Sequence, residues 1–218
     1  MSLTASPDDG LGHAELMDRT YRYQRLIYDL TRRYYLLGRD RLIRDLSPGP
    51  RDRVLEVACG TGRNLALIGR AYPGRELFGL DISREMLRSA EATLGRSACL
   101  AQADACTFDG ESLFNRRGFD RIVISFGLSM IPDWEAAVTA SLAQLRPGGS
   151  LHLVDFGDQA RLPRLFRRLL LAWLARFHVT PREDFEARLG AIARAQGCRL
   201  DFTPLYRGYS HYAVLHRA

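Results

Sequence analysis

From residue 53 onward, short apolar runs alternate with longer stretches that are apolar on one side only. The short runs predict strands at 53–57, 76–80, 98–101, 119–125 and 150–154. They are too short for helices and rich in Val, Ile, Leu and Phe. Between them, 63–71, 83–94 and 133–145 repeat apolar positions at three-to-four spacing and read as helices, with Ser83 placed to cap the second. Arg146-Pro147-Gly148-Gly149 reads as a turn before the fifth strand. Such alternation predicts an α/β domain, a parallel sheet covered on both faces. Two final runs, 198–206 and 209–216, flank Arg207-Gly208 and predict an antiparallel hairpin at the sheet edge.

Two helical patterns flank this core. In 13–46, Leu26, Ile27, Leu30, Tyr34 and Leu37 form one stripe. Tyr21, Tyr23, Tyr28, Tyr34 and Tyr35 crowd this segment, with Arg32, Arg33 and Arg39 among them. It reads either as a helix packed on the domain or as a lid whose tyrosines and arginines face a ligand. Ser47-Pro48-Gly49-Pro50 ends it as a linker, giving a lid at 1–50 and a main domain at 51–218. After the fifth strand, Leu162, Leu165, Phe166, Leu169, Leu170, Trp173, Leu174 and Phe177 make one wide apolar helical face. Arg161, Arg164, Arg167, Arg168 and Arg176 border it. This stretch, 161–178, reads as a substrate cover that either packs on the sheet or lies in a membrane interface. Thr180-Pro181-Arg182-Glu183 reads as a capping box opening a helix to about Gln196.

Composition sharpens this only in places. The chain has 218 residues, a net charge of +6 and a pI near 9.4. That suits one sizeable domain. Every basic residue other than histidine is arginine. This reads as genome-level bias, or as an arginine surface for an anionic partner. No helix-turn-helix or aromatic RNA-binding signature accompanies the charge, so no nucleic-acid partner is expected. Cys59, Cys99, Cys106 and Cys198 have no metal-ligand spacing and read as reduced thiols, so no metal is expected. The first residues lack an apolar signal core, and no apolar run is long enough to span a bilayer. The expected location is the cytoplasm, peripheral at the inner face of the membrane.

The chemistry concentrates in Val54-Leu55-Glu56-Val57-Ala58-Cys59-Gly60-Thr61-Gly62-Arg63-Asn64-Leu65, a strand, a glycine turn and a helix start. No Gly-Lys-Ser/Thr follows the turn, and Leu65 stands where a dinucleotide fingerprint has its third glycine. An acid inside the strand, Glu56, suits a cationic or hydroxyl-bearing ligand better than a pyrophosphate. Asp81 ends the second strand, where an acid can accept both ribose hydroxyls. Asp104 and Ser125 fall near the ends of the third and fourth strands.

Glu56–Gly62 resembles the first motif of class I S-adenosylmethionine-dependent methyltransferases. The resemblance implies a Rossmann-like fold: a mostly parallel seven-stranded sheet with an antiparallel edge strand, helices on both faces and an N-terminal helical lid. It implies S-adenosylmethionine as cofactor and S-adenosylhomocysteine as product. Gly60 and Gly62 would lie at the methionine portion, with Ala58 and Asn64 beside them. Asp81 would take the ribose, Ile82 and Met86 would flank the adenine, and Asp104, with Ala105, would meet its amino group. Ser125 completes the implied cofactor set. Cys59 is given no catalytic role.

The stretch Met17 to Asp40 (MDRTYRYQRLIYDLTRRYYLLGRD) resembles the N-terminus of bacterial diacylglycerylhomoserine N-methyltransferases of betaine-lipid synthesis. That family implies three methyl transfers to the amine of a homoserine lipid at the membrane surface. Tyr28-Asp29-Leu30 also echoes quinone C-methyltransferases, which puts Tyr28 beside the cofactor and the reaction. Arg33 is expected to pair with a carboxylate of cofactor or substrate. Tyr21, Tyr34 and Tyr35 are expected around the alkylammonium, with His178 as a further substrate contact. His152, Asp155, His178 and His211 are candidate proton acceptors, His152 and Asp155 being the catalytic choices. The alternatives are a C- or O-methyltransferase of a quinone or other small apolar acceptor, and a non-catalytic protein of the same fold.

Overall fold

The computed structural model describes residues 36–175, 181 and 184–218. The expectations placed on Tyr21, Tyr28, Arg33, Tyr34, Tyr35 and His178 lie outside these residues. In chain order the elements are α1 (Arg39–Leu46), β1 (Arg53–Val57), α2 (Arg63–Ala71), β2 (Glu76–Asp81), α3 (Arg84–Leu94), β3 (Cys99–Gln102), α4 (Gly110–Phe114), β4 (Phe119–Ser125), α5 (Trp134–Ala143), β5 (Leu145–Phe156), α6 (Arg164–Ala175), α7 (Phe185–Ala195), β6 (Cys198–Leu205) and β7 (Ser210–Arg217).

The strands form one seven-stranded sheet in the order β3-β2-β1-β4-β5-β7-β6. β1 to β5 pair in parallel, and β7 runs antiparallel to both neighbours, one place in from the edge strand β6. Residues 54–57 of β1 are buried without alternation, because helices cover both faces of the sheet. One face packs Leu42, Leu46, Leu65, Ile68, Leu87 and Leu94 onto the strands. The other packs Trp134, Val138, Leu142, Phe185 and Leu189 around Leu55, Leu80 and Phe119. Burying each such side chain contributes about 1.5–3 kcal/mol. The edge strand β6 is punctuated by exposed Arg199 and Asp201 and by Pro204, which discourage further strand pairing.

Sequence and structure differ at a few boundaries. The expected turn at Arg146–Gly149 does not precede β5 but lies within it. Leu145 pairs with Phe119, and the pairing then resumes at Ser150 opposite Arg121. A side chain at 149 would meet the carbonyl oxygens of Arg146 at 2.9 Å and Asp120 at 3.0 Å, so the turn folds back on the neighbouring strand. The short helix α4 was not expected; Asp109 caps it by accepting from the Ser112 amide at 2.9 Å. α7 opens at Phe185, with Asp184 at its N-cap making no side-chain cap bond; Thr180, Arg182 and Glu183 of the expected box lie outside the described residues. Of the 13–46 pattern, α1 is the described helix. It docks through the Tyr72 hydroxyl, which donates to the Ile43 and Arg44 carbonyls at 2.9 and 2.8 Å. Ser83 caps α3 as expected, accepting from the Met86 amide.

Gly62 shows how tightly β1, α2 and α3 meet. Its φ is +73°, and a Cβ there would fall 2.6 Å from Leu94 Cδ1 and 3.1 Å from Ala90 Cβ. Gly74 has a similar φ of +84°, with nothing within 4 Å. Gly74→Ala is therefore expected to cost about 1–2 kcal/mol, from backbone strain alone. Gly62→Ala adds about 1–3 kcal/mol for overpacking. Urea unfolding of both variants checks this; equal losses would mean that the contact with α3 is not limiting.

Candidate active site

The strand ends and the loops that follow them converge on a cavity of about 490 Å³, within the usual size of a cofactor site. It opens at the C-terminal ends of β1 to β4, where the sheet order reverses between β1 and β4. Ala58 on β1's end and Phe126 on β4's end both line it, and both hold left-handed backbone, at φ 56° and 55°. Each such non-glycine residue costs about 1–3 kcal/mol, which the surrounding packing sustains.

The cavity floor is polar. Glu56 is fully buried on β1 and accepts from Asn64 Nδ2 at 2.6 Å. Its second oxygen, Oε2, and Asn64 Oδ1 have no hydrogen-bond partner among the described residues. Burial pushes the Glu56 carboxyl up to about 8, although Asn64 and the Arg39 guanidinium pull it down. Asp81 uses its two oxygens to hold the turn: Oδ2 accepts from the Gly60 amide at 2.8 Å and Oδ1 from the Ser83 amide at 2.9 Å. Asp104 accepts from the Cys106 amide at 2.8 Å and is exposed at the rim.

Ten of the described residues expected at a cofactor line this cavity. Glu56, Ala58, Gly60 and Asn64 come from the first motif, and Asp81, Ile82 and Met86 from β2 and α3. Asp104, Ala105 and Ser125 complete the set, and Ser125 Oγ is another buried atom without a partner. Gly62 does not line the cavity; its small size serves the packing against α3.

The two described catalytic expectations, His152 and Asp155, lie away from the cavity lining. His152 lies on β5 under α1, its ring hydrogen-bonded to Ser150 Oγ and Tyr212 Oη at 2.9 Å each. Burial, with Arg121 nearby, pushes it down to about 3, so it stays neutral and does not face the cavity. Asp155 is fully buried and also lies off the lining. It accepts from the Ser129 amide at 3.0 Å and the Phe156 amide at 2.7 Å, and so positions the loop from Phe126 to Pro132. His211 lines a separate small cavity with Asp158 and Glu186.

Arg39, one of the arginines of the lid reading, reaches the cavity from α1. Sequence reasoning missed Phe126, Met130 and Ile131, which come from the loop after β4. Asp133 doubles as the cap of α5, accepting from the Ala136 amide at 3.2 Å. Its cap signal was readable; its place at the rim was not.

Residues 54–149 match the family model described as a methyltransferase domain. Among curated proteins the chain is similar to the ubiquinone/menaquinone biosynthesis C-methyltransferase UbiE of Syntrophotalea carbinolica. The two are 33% identical over 71% of this chain and 65% of that protein. It is 24% identical to a demethylmenaquinone methyltransferase of Staphylococcus aureus, over 80% of this chain and 74% of that protein. Among solved structures it resembles magnesium protoporphyrin IX methyltransferase from Synechocystis, with S-adenosylhomocysteine bound. There the TM-score is 0.68 and the identity 18%, covering 96% of this chain and 100% of that one.

Residues 54–149 thus match a methyltransferase domain, and the fold is shared with a solved methyltransferase. The residues that line the cavity fit S-adenosylmethionine. A sulfonium with an amino-acid tail brings positive charge and N–H donors to a floor whose buried acceptors lack donors.

A pH dependence follows from Glu56. In the unfolded chain its carboxyl ionises near 4.5, whereas in the folded chain it keeps its proton to about 8. Its contribution to stability is fully present below the first value and is lost as pH rises through the second. Glu56→Gln is expected to remove this loss, so that its melting temperature gains on the parent across that window. An ammonium group held beside Glu56 favours the charged form. Binding of S-adenosylhomocysteine near neutral pH should therefore release up to about one proton. Calorimetry in buffers of different ionisation enthalpy reads this directly; no release from the parent would remove Glu56 from the ammonium site.

Proposed function

We propose that the chain is an N-methyltransferase that methylates the amine of a diacylglycerylhomoserine headgroup in successive rounds, ending in a betaine lipid. The observation that carries this reading is the charge of the cavity. In a chain of net charge +6, Asp81, Asp104 and Asp133 line it together with the Glu56 carboxyl, which ionises when a cation sits beside it, against the two guanidinium groups of Arg39 and Arg63. Such a lining suits a cationic cofactor together with an amine that ends as a quaternary ammonium. Among the described lining residues there is no histidine or tyrosine to act as a base. An amine needs only to lose its proton to water before it attacks.

Bound S-adenosylmethionine supplies a methyl group on a positively charged sulfur. The chain's own part is to bind, align and exclude water. Glu56 and Asn64 would hold the ammonium of the methionine tail, and Arg39 its carboxylate. Asp81 would accept from the ribose hydroxyls, with Ile82 and Met86 against the adenine and Asp104 at its amino group. Asp133, exposed at the rim, would attract the protonated amine. Tyr21, Tyr28, Arg33, Tyr34, Tyr35 and His178 remain proposed contacts of cofactor or substrate on the strength of the resemblance.

A second reading is a quinone C-methyltransferase. The names of the similar curated proteins favour it. The apolar wall of Leu36, Phe126, Met130 and Ile131 is compatible with a flat apolar ring.

Incubation with labelled S-adenosylmethionine and a lipid extract separates the two. Label is expected in homoserine lipids carrying one, two and three methyl groups; label confined to a quinone fraction would overturn the first reading. Asp133→Asn keeps the cap, since Asn caps as well as Asp, but removes the charge. It is expected to raise KM for the amine about threefold to tenfold with little change in kcat.

A further inference from the structure

We infer that α6 is a docking surface for an anionic lipid bilayer. The inference goes beyond the choice of acceptor and holds for either reading. α6 has two apolar sides. Leu174 is buried, and Leu170 and Trp173 pack beside it in the cluster that also contains Leu36, Cys59, Phe126 and Met130 of the cavity wall. Leu165, Phe166 and Leu169 are 71%, 50% and 63% exposed, which makes three of the large exposed apolar side chains neighbours on a single helix. Leu165 and Leu169 are one turn apart and share a face with Phe166.

Charge identifies the occupant. From 161 to 175 the chain holds Arg161, Arg164, Arg167 and Arg168 and no acid. Among the described residues none of these four guanidinium groups is in an ion pair. An apolar ridge beside unneutralised arginines is complementary to a surface with anionic headgroups above acyl chains. The arginine stems can lie along the apolar boundary while their heads stay with the phosphates.

The mounting is firm. The turn between β5 and α6 is tied down by Gln159, which is buried. Its amide N–H donates to the Gly208 carbonyl at 2.9 Å, and its side chain donates to the Gly157 and Tyr209 carbonyls at 3.1 and 2.9 Å. A side chain at Gly157 would fall 2.2 Å from the Gly208 oxygen, so the turn admits no larger residue. α6 leaves from the C-terminal end of β5, the same sheet edge at which the cavity opens. Among the described residues no helix is long and apolar enough to cross a membrane, so contact through α6 would be interfacial.

The test uses the full chain without acceptor, so that its outcome is independent of which acceptor is methylated. Binding is measured by co-sedimentation with phosphatidylcholine vesicles that contain or lack phosphatidylglycerol. The parent is expected to bind the anionic vesicles and to release as salt rises. The triple variant Leu165→Gln, Phe166→Gln, Leu169→Gln and the double variant Arg164→Gln, Arg168→Gln should each lose about tenfold in partitioning. Both should retain the parent melting temperature and S-adenosylhomocysteine affinity, because the changed side chains are exposed. Unchanged vesicle binding by the triple variant overturns the proposal. So does a parent dimer that the triple variant splits, which would make the face a self-interface. A clear fall in melting temperature of the lipid-free triple variant also overturns it, since the face would then be covered by another part of the chain.

Discussion

A carboxyl group buried in β1, inside the sheet, is the constraint on which the site depends. Glu56 sits between Leu55 and Val57, on a strand whose other core positions are apolar, and burying its charge there is costly. The structure offsets this cost only in part. Asn64 reaches back from the first turn of α2, and the Arg39 guanidinium contributes favourable charge from α1. Asn64 is in reach because Gly60 and Gly62 turn the chain through left-handed backbone, so that α2 starts directly above the strand it left. What is left unsatisfied, one carboxylate oxygen and one amide oxygen, is an acceptor pair for a donor-bearing cation.

The rest of the cavity is held to this floor by backbone hydrogen bonds to acids. Asp81 ties the glycine turn to the start of α3, and Asp155 ties the loop after β4 to the end of β5. Both are buried, and both accept main-chain N–H groups. Removing one of these acids would move a stretch of wall rather than a single contact. The same logic separates the acids by role. Asp81 both holds and lines, Asp155 only holds, and the exposed Asp104 and Asp133 give the rim its charge.

Much of this was legible in the chain. Strands β1 and β4 and helix α2 fall where the apolar pattern puts them, since burial on both faces leaves a continuous apolar signal. Glu56, Asp81, Asp104 and Ser125 read as strand-end groups because such ends face one edge of a parallel sheet. Other parts left a weaker trace. α4 spans five residues and has too little periodicity to register. The Arg146–Gly149 turn reads as a strand boundary, yet the ladder resumes past it. His152 and Asp155 look catalytic by residue type alone. Spacing does not reveal that one side chain is turned into a Ser150–Tyr212 pocket and the other into a loop's backbone.

By itself, then, the sequence determined the order of strands and helices, the glycine turn and the acids that meet at the sheet's edge. These rest on local chemistry: short-range periodicity, glycine's access to positive φ and the offset of an acid from a turn. Tertiary structure alone decided which of those groups share a cavity and which only support it. It placed Arg39 beside Glu56 and Asp133 at the rim, and it gave Gly62 to the packing of α3. It also split the apolar face of α6 into a buried side and an exposed ridge. The reason is physical: a helical stripe records that its residues are apolar, but what covers each of them depends on elements far away in the chain.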